Sequence, residues 1–147
     1  MANWIVRPCG VLIRDGQLLT MQYQYGGQRR LNLPGGNLEE GEEITTALAR
    51  EFVEELALAV EVGALVGTLQ TQAGGREVLH MLFQVHTNGE PRLNPAETKA
   101  EALAWVGPKA LAEVSLYPAV PQDKLQPLLL GQGGERDHWG LVDQPWF

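Results

Sequence analysis

The residues best suited to chemistry in this chain are three glutamates, Glu51, Glu54 and Glu55, within a stretch of good helix formers. At about 100° per residue, with Glu51 at zero, Glu55 falls about 40° to one side and Glu54 about 60° to the other. Three carboxylates therefore crowd one helix face, although like charges at these spacings destabilise an isolated helix by a few tenths of a kcal/mol per pair. Ala49, Phe52, Val53 and Leu56 fall between about 100° and 200°, an apolar stripe on the opposite face. The acidic face suits a hard divalent cation, Mg²⁺ or Mn²⁺, which takes carboxylate oxygens, waters and substrate phosphate oxygens. Arg50 lies beside Glu54 on the same wheel and reads as an internal tether that orients a carboxylate. Gly35 and Gly36 stand just before the helix, where the missing Cβ lets backbone come close to a metal or a phosphate. Taken alone, the three glutamates are better explained as a solvated acidic helix face.

The elements that must position this face can be read along the chain. Asp15-Gly16 between the apolar runs 11–13 and 18–21 predicts a tight hairpin. The polar, glycine-containing segment 24–32 is read as a loop carrying Arg29 and Arg30, followed by the turn Leu33-Pro34-Gly35-Gly36. Residues 43–57 lack proline and glycine and predict the helix. A long hairpin follows, with strands over 60–72 and 77–86, and with Gly63 and Gly67 as bulges or close backbone contacts. In its second strand Leu79, Met81, Phe83 and Val85 alternate on one face, which leaves His80 and His86 on the other as surface or site-lining residues. A short strand over 102–106, a proline-started helix over 108–114 and a helical piece over 123–130 complete the order. The expectation is an α+β fold, an α/β/α sandwich with a mixed sheet between helices, in one domain over 1–147 with a C-terminal tail from 131. Trp139, Trp146 and Phe147 are expected to dock that tail onto the body, with a dimer interface or a lid as the functional alternative.

Composition narrows the partners. The chain has 147 residues, 44% of them apolar, and a net charge of −7 from 18 acidic and 11 basic residues. Such an acidic balance argues against a nucleic-acid polymer as partner. A small phosphorylated ligand is still admissible when a divalent cation sits between the two anions. No run approaches the roughly 18–20 apolar residues of a membrane span. The lone Cys9 makes no internal disulfide and is expected to be an inert buried thiol. Arg7 and Pro8 interrupt the apolar start, so a signal peptide is not expected and a cytoplasmic setting is the default.

Gly36, Glu42, Arg50, Glu51, Glu54 and Glu55 stand together as G-x5-E-x7-R-E-F-V-E-E-L-A-L. This resembles the signature of the Nudix hydrolases, G-x5-E-x7-R-E-U-x-E-E-x-G-U with U apolar. Six of the seven fixed letters match, which chance would produce at a given start about once in 10⁷. Phe52 and Leu58 fill both apolar positions, and Leu33-Pro34-Gly35-Gly36 leads into the box as in the family. The departure is Ala57 in place of the last glycine, which implies a helix that ends differently or a mildly strained turn. The resemblance implies a Mg²⁺-dependent pyrophosphohydrolase of nucleotides. On it, Glu51, Glu54 and Glu55 ligate the cations with help from a carbonyl of Gly35 or Gly36, while Glu42 and Arg50 brace loop and helix. It further implies a general base that is either a box glutamate or a loop glutamate, Glu97 ahead of Glu101. Arg29 and Arg30 become candidates for the distal phosphate or terminal sugar.

Subfamily marks are sparse: between 58 and 90 there is neither the proline of many ADP-ribose hydrolases nor the tyrosine of dinucleoside polyphosphate hydrolases. The layout of 89–93 and 105–106 nevertheless looks like bacterial ADP-ribose and nucleoside-triphosphate members, so ADP-ribose or a related nucleotide sugar is expected first. A sanitising, MutT-like (d)NTP pyrophosphohydrolase is the alternative, and a non-catalytic nucleotide sensor on the same fold is the third reading. A homodimer is the oligomer to look for, since dimers are common in the resembled family.

Overall fold

The computed structural model describes residues 3–132 and 136–145. The expectations for Trp146 and Phe147 lie outside them. One four-stranded sheet has the order β1–β6–β5–β9, formed by β1 (Asn3–Val11), β5 (Glu61–Ala73), β6 (Arg76–His86) and β9 (Asp137–Asp143). The second contains β2 (Ile13–Arg14), β3 (Gln17–Tyr25), β4 (Gln28–Asn32) and β8 (Leu116–Tyr117), with β7 (Ala102–Val106) on the other edge of β3. Pairing is mixed: β5–β6 and β3–β4 are antiparallel, whereas β1–β6, β5–β9 and β4–β8 are parallel.

Alternation along the strands puts apolar side chains on both faces. On β3, Leu18 belongs to one core, while Leu19, Met21 and Tyr23 belong to the other. Helix α1 (Ile44–Leu56) closes the second core with Leu48, Phe52 and Leu56. The short α2 (Pro108–Leu111) and α3 (Gln122–Leu129) close the first with Leu111, Leu125, Leu128 and Leu129. The expected α/β/α sandwich is therefore what the chain builds. Each fully buried large apolar side chain such as Phe52 contributes about 1.5–3 kcal/mol. Phe52 packs so closely on β1 that a Cβ at Gly10 would lie 2.6 Å from its ring. Val53 departs from the expected stripe: it is 54% exposed, because the core side of α1 centres on Leu48, Phe52 and Leu56 and leaves Val53 beyond its edge.

Several local expectations change. Residues 24–32 are not a loop but a second hairpin, with Gly26 and Gly27 both at positive φ turning β3 into β4. Arg29 and Arg30 thus sit on a strand, where neighbours point to opposite sides. His80 is fully buried rather than a surface residue, since β6 is covered on both faces and Leu82 beside it is buried as well. Its Nε2 meets the Thr71 hydroxyl at 2.8 Å, and its ring packs edge-on against Tyr117. Burial pushes the imidazole pKa down to about 3, so it is neutral at ordinary pH. Cys9 is the inert thiol expected, fully buried and raised to about 11 by burial. The tail forms β9 and lays Trp139 over Gly67, where no Cβ would fit. The bulges of β5 fall at 62–67, beside both of its anticipated glycines. Among the described residues no helix is long and apolar enough to cross a membrane.

Candidate active site

The loop before α1 is fixed by β1. Gly10 N–H donates to Pro34 O at 2.8 Å, Leu38 N–H to Val6 O at 2.8 Å, and Cys9 bridges Gly35. A Cβ on Gly35 would lie 2.3 Å from Pro8 O, so only glycine permits this approach. At Gly36 a Cβ would meet the Glu51 carboxylate at 2.5 Å. The two glycines thus have different duties, one toward the strand and one toward the acidic face. The helix begins with Glu43, whose carboxylate accepts from the Thr45 and Thr46 amides and so satisfies orphan donors of the first turn.

At the other end, every carbonyl of the last turn is capped. Val53 O accepts from Ala57 N–H, Glu54 O from Asn94 Nδ2, Glu55 O from Asn94 N–H and Leu56 O from Arg92 N–H. Ala57 itself adopts φ 50° and ψ 39°, the left-handed conformation a glycine would take freely. The strained turn is the alternative realised: the helix ends in the usual manner with a residue that resists it.

Arg50 is the hub of the acidic rim. It meets Glu42 through Nε at 2.9 Å and Nη2 at 3.0 Å, Glu54 through Nη1 at 2.9 Å and Glu51 through Nη2 at 3.2 Å. Glu43 caps the helix, and Glu42 takes the fork–fork pair with Arg50. Arg50 and the Glu39 amide hold Glu42 below the usual carboxylate range. Glu51 and Glu55 move the opposite way. Burial raises Glu51, with Arg50 opposing. Burial also pushes Glu55 up to about 7; Glu51, Glu54 and Glu97 add to the rise and Arg7 opposes it.

These carboxylates fit a divalent cation that keeps part of its water shell. Among the described residues no three acidic, His or Cys groups close into a cage. An open set with carboxylate and main-chain oxygens suits Mg²⁺, which typically takes one or two carboxylates and fills the remainder with water and phosphate. The half-buried, mutually repelling Glu51 and Glu55 are also the groups that a cation would relieve.

Beside the rim lies a cleft of about 260 Å³, bounded by Gly35, Gly36, Asn37, Glu55 and Val78, with Arg7, Tyr23, Asn32 and Tyr117 completing it. Of the expected site residues, the fold brings Glu51, Glu54, Glu55, Arg50, Glu42, Gly35 and Gly36 together. Glu97 lies in the exposed turn after Asn94 that caps α1, within electrostatic reach of Glu55. Glu101, exposed, donates its amide to Gln22 O at the start of β7. Arg30 reaches the periphery of the cleft, over the Tyr117 ring and bonded to Pro145 O at 2.6 Å, whereas Arg29 is exposed on the other side of β4. Sequence reading missed the floor: Arg7, Tyr23, Asn32 and Tyr117 come from four strands, far apart along the chain. The available signal was Arg7, a cation inside an otherwise apolar strand, where a buried charge needs a reason.

Comparison with known families finds a NUDIX domain over residues 6–128. The chain is 37% identical over 123 residues to the putative 8-oxo-dGTP diphosphatase 2 of Mycobacterium tuberculosis, covering 81% of this chain and 79% of that protein. It is 29% identical over 116 residues to the CTP pyrophosphohydrolase of Escherichia coli, covering 77% and 81%. The solution structure of the E. coli ORF135 protein superposes with a TM-score of 0.70 at 27% identity, covering 88% of each chain.

Proposed function

The chain belongs to the Nudix family of hydrolases acting on pyrophosphate bonds, and on that premise we propose that it hydrolyses a nucleoside triphosphate to the monophosphate and pyrophosphate, using Mg²⁺ or Mn²⁺. The observation that carries this is the juxtaposition of the Arg50-ordered acidic rim with the small cleft at Gly35–Gly36. Divalent cations bound there would neutralise phosphate charge and acidify a water for attack on phosphorus. Glu51, Glu54 and Glu55 are the carboxylate donors, with a main-chain carbonyl of Gly35 or Gly36 beside them. Arg50 and Glu42 are positioning residues, because their fork–fork pair sets the loop against the helix. Glu97, in the exposed turn whose Asn94 caps α1 beside Glu55, serves as general base, with Glu101 the alternative.

The cleft supports a triphosphate ahead of ADP-ribose. At about 260 Å³ it lies just below the roughly 300–1,000 Å³ of usual small-molecule sites, which suits one nucleoside better than a ligand with two sugars. Relatives named for 8-oxo-dGTP and CTP favour the same class. ADP-ribose is the second reading: Arg30, bordering the cleft through Tyr117, is placed to meet a terminal sugar. The test is turnover of (d)NTPs, ADP-ribose and other nucleotide sugars with Mg²⁺, with both products separated. Monophosphate and pyrophosphate from triphosphates are expected. Exclusive turnover of ADP-ribose would replace the reading with the second one.

A further inference from the structure

The cleft floor holds buried polar groups that the protein itself does not satisfy. Asn32 is 1% exposed, yet neither its Oδ1 nor its Nδ2 has a hydrogen-bond partner. Arg7 is 8% exposed; its Nη2 donates to Leu33 O at 2.9 Å, and its Nη1 has no partner. Leaving such groups buried and unpaired costs about 1–3 kcal/mol each, a cost that a ligand or an ordered water in the cleft would offset. Both residues line the cleft together with Tyr23 and Tyr117, and the Arg7 guanidinium lies 5.6 Å from the centre of the Tyr117 ring. Glu55 lines the same cleft, so a nucleotide whose phosphates meet Glu51–Glu55 brings its nucleoside among these residues.

We infer that Arg7 and Asn32 read the base, and that they select a lactam edge, a ring carbonyl next to a ring N–H, over an amino-substituted ring nitrogen. The inference rests on the proposed nucleotide substrate and goes beyond it by naming the base chemistry. The Asn32 carboxamide pairs with a lactam as one amide pairs with another: Nδ2–H donates to the carbonyl and Oδ1 accepts from the N–H. The carbonyl oxygen has a second lone pair, which takes the unpaired Arg7 Nη1–H. Adenine and cytosine present an amino group at that place. A guanidinium has only donors, so there it would oppose another donor and stay unpaired. Guanine, hypoxanthine and uracil carry the lactam; adenine and cytosine do not.

The experiment measures base preference twice, by calorimetric binding of GMP, IMP, UMP, AMP and CMP, and by kcat/KM for the five triphosphates with Mg²⁺. Wild type is expected to favour each lactam base over each amino base by about tenfold or more, the size of discrimination a bidentate side-chain–base pair gives. IMP should behave like GMP, because the 2-amino group plays no part. Asn32→Ala should bring the ratios to about threefold or less, and Arg7→Lys, which keeps the charge, should reduce them partway. Ratios within one variant do not depend on the fraction of protein folded, so a destabilised variant still gives an answer. Equal binding of GMP and AMP by wild type, or ratios unchanged in Asn32→Ala, would overturn the inference. Lactam-selective binding without turnover of any triphosphate would uphold it while removing the proposed function.

Discussion

The rim and the floor of one cleft are built on opposite principles. On the rim, Arg50 links three glutamates that remain partly open to solvent, and each bond is made within a single loop–helix segment. On the floor, Arg7 and Asn32 are buried and come from separate strands, with polar atoms left unpaired. The rim is therefore organised before anything binds, which is what a cation site needs if its donors are to lose little freedom on binding. The floor is organised in position but incomplete in bonding, and is suited to discriminating between ligands. If the rim binds the phosphates and the floor the base, as proposed, affinity and choice of base are separable properties of the two regions.

The largest effect expected from breaking the rim is on rate. Glu54→Gln keeps shape and removes charge, and should lower kcat by about 10²-fold or more, the scale of losing one electrostatic group at a reacting centre. Its melting temperature should stay near that of wild type, because Glu54 is 40% exposed. A comparable fall in stability would make it a structural residue. Removing metal tests the same region from the ligand side. Mg²⁺ at about 100 times its dissociation constant should stabilise the fold by about 2.7 kcal/mol over the EDTA-treated protein, read as a thermal shift. No shift would mean that Glu51 and Glu55 hold no cation.

The floor's surroundings respond to acid instead. His80 has a folded pKa of about 3, below the roughly 6.5 of an exposed imidazole. The unfolded chain therefore binds its proton first. His80 leaves stability unaffected above pH 6.5 and lowers it as pH falls toward 3, by up to about 1.4 kcal/mol per pH unit. Glu55 acts in the other sense without metal: its folded pKa is raised to about 7, so its contribution is full below the unfolded carboxylate range and is lost as pH rises through 7. Denaturant midpoints of wild type and His80→Gln between pH 3 and 7 check the first; an unchanged acid limb would contradict it. The smallest effect belongs to the helix end. Ala57→Gly should stabilise by about 1 kcal/mol, the left-handed cost of alanine less the added chain entropy of glycine. An unaltered midpoint would mean that the turn at φ 50° stores no strain.

The same contrast explains what could be read from the sequence. The rim was legible because its spacing lies within residues 36–58, where helical periodicity converts sequence into geometry. The hairpin marked by Asp15-Gly16 and the long hairpin over 60–86 were legible for similar local reasons. The floor was not. Arg7, Tyr23, Asn32 and Tyr117 meet only through parallel and antiparallel pairings across the chain, and no local pattern encodes those registers. His80 was misplaced because alternation on β6 identifies two faces without saying that both are covered. The strand β4 was hidden by its polar side chains, which made 24–32 read as a loop.

The central claim is that the Arg50-ordered carboxylates support cleavage of a nucleoside triphosphate to monophosphate and pyrophosphate. Its most direct test follows GTP by phosphorus NMR with wild type and Glu54→Gln, each with Mg²⁺ and with EDTA. The account expects GMP and pyrophosphate from wild type with Mg²⁺ alone. Equal turnover by Glu54→Gln, or release of inorganic phosphate in place of pyrophosphate, would contradict it.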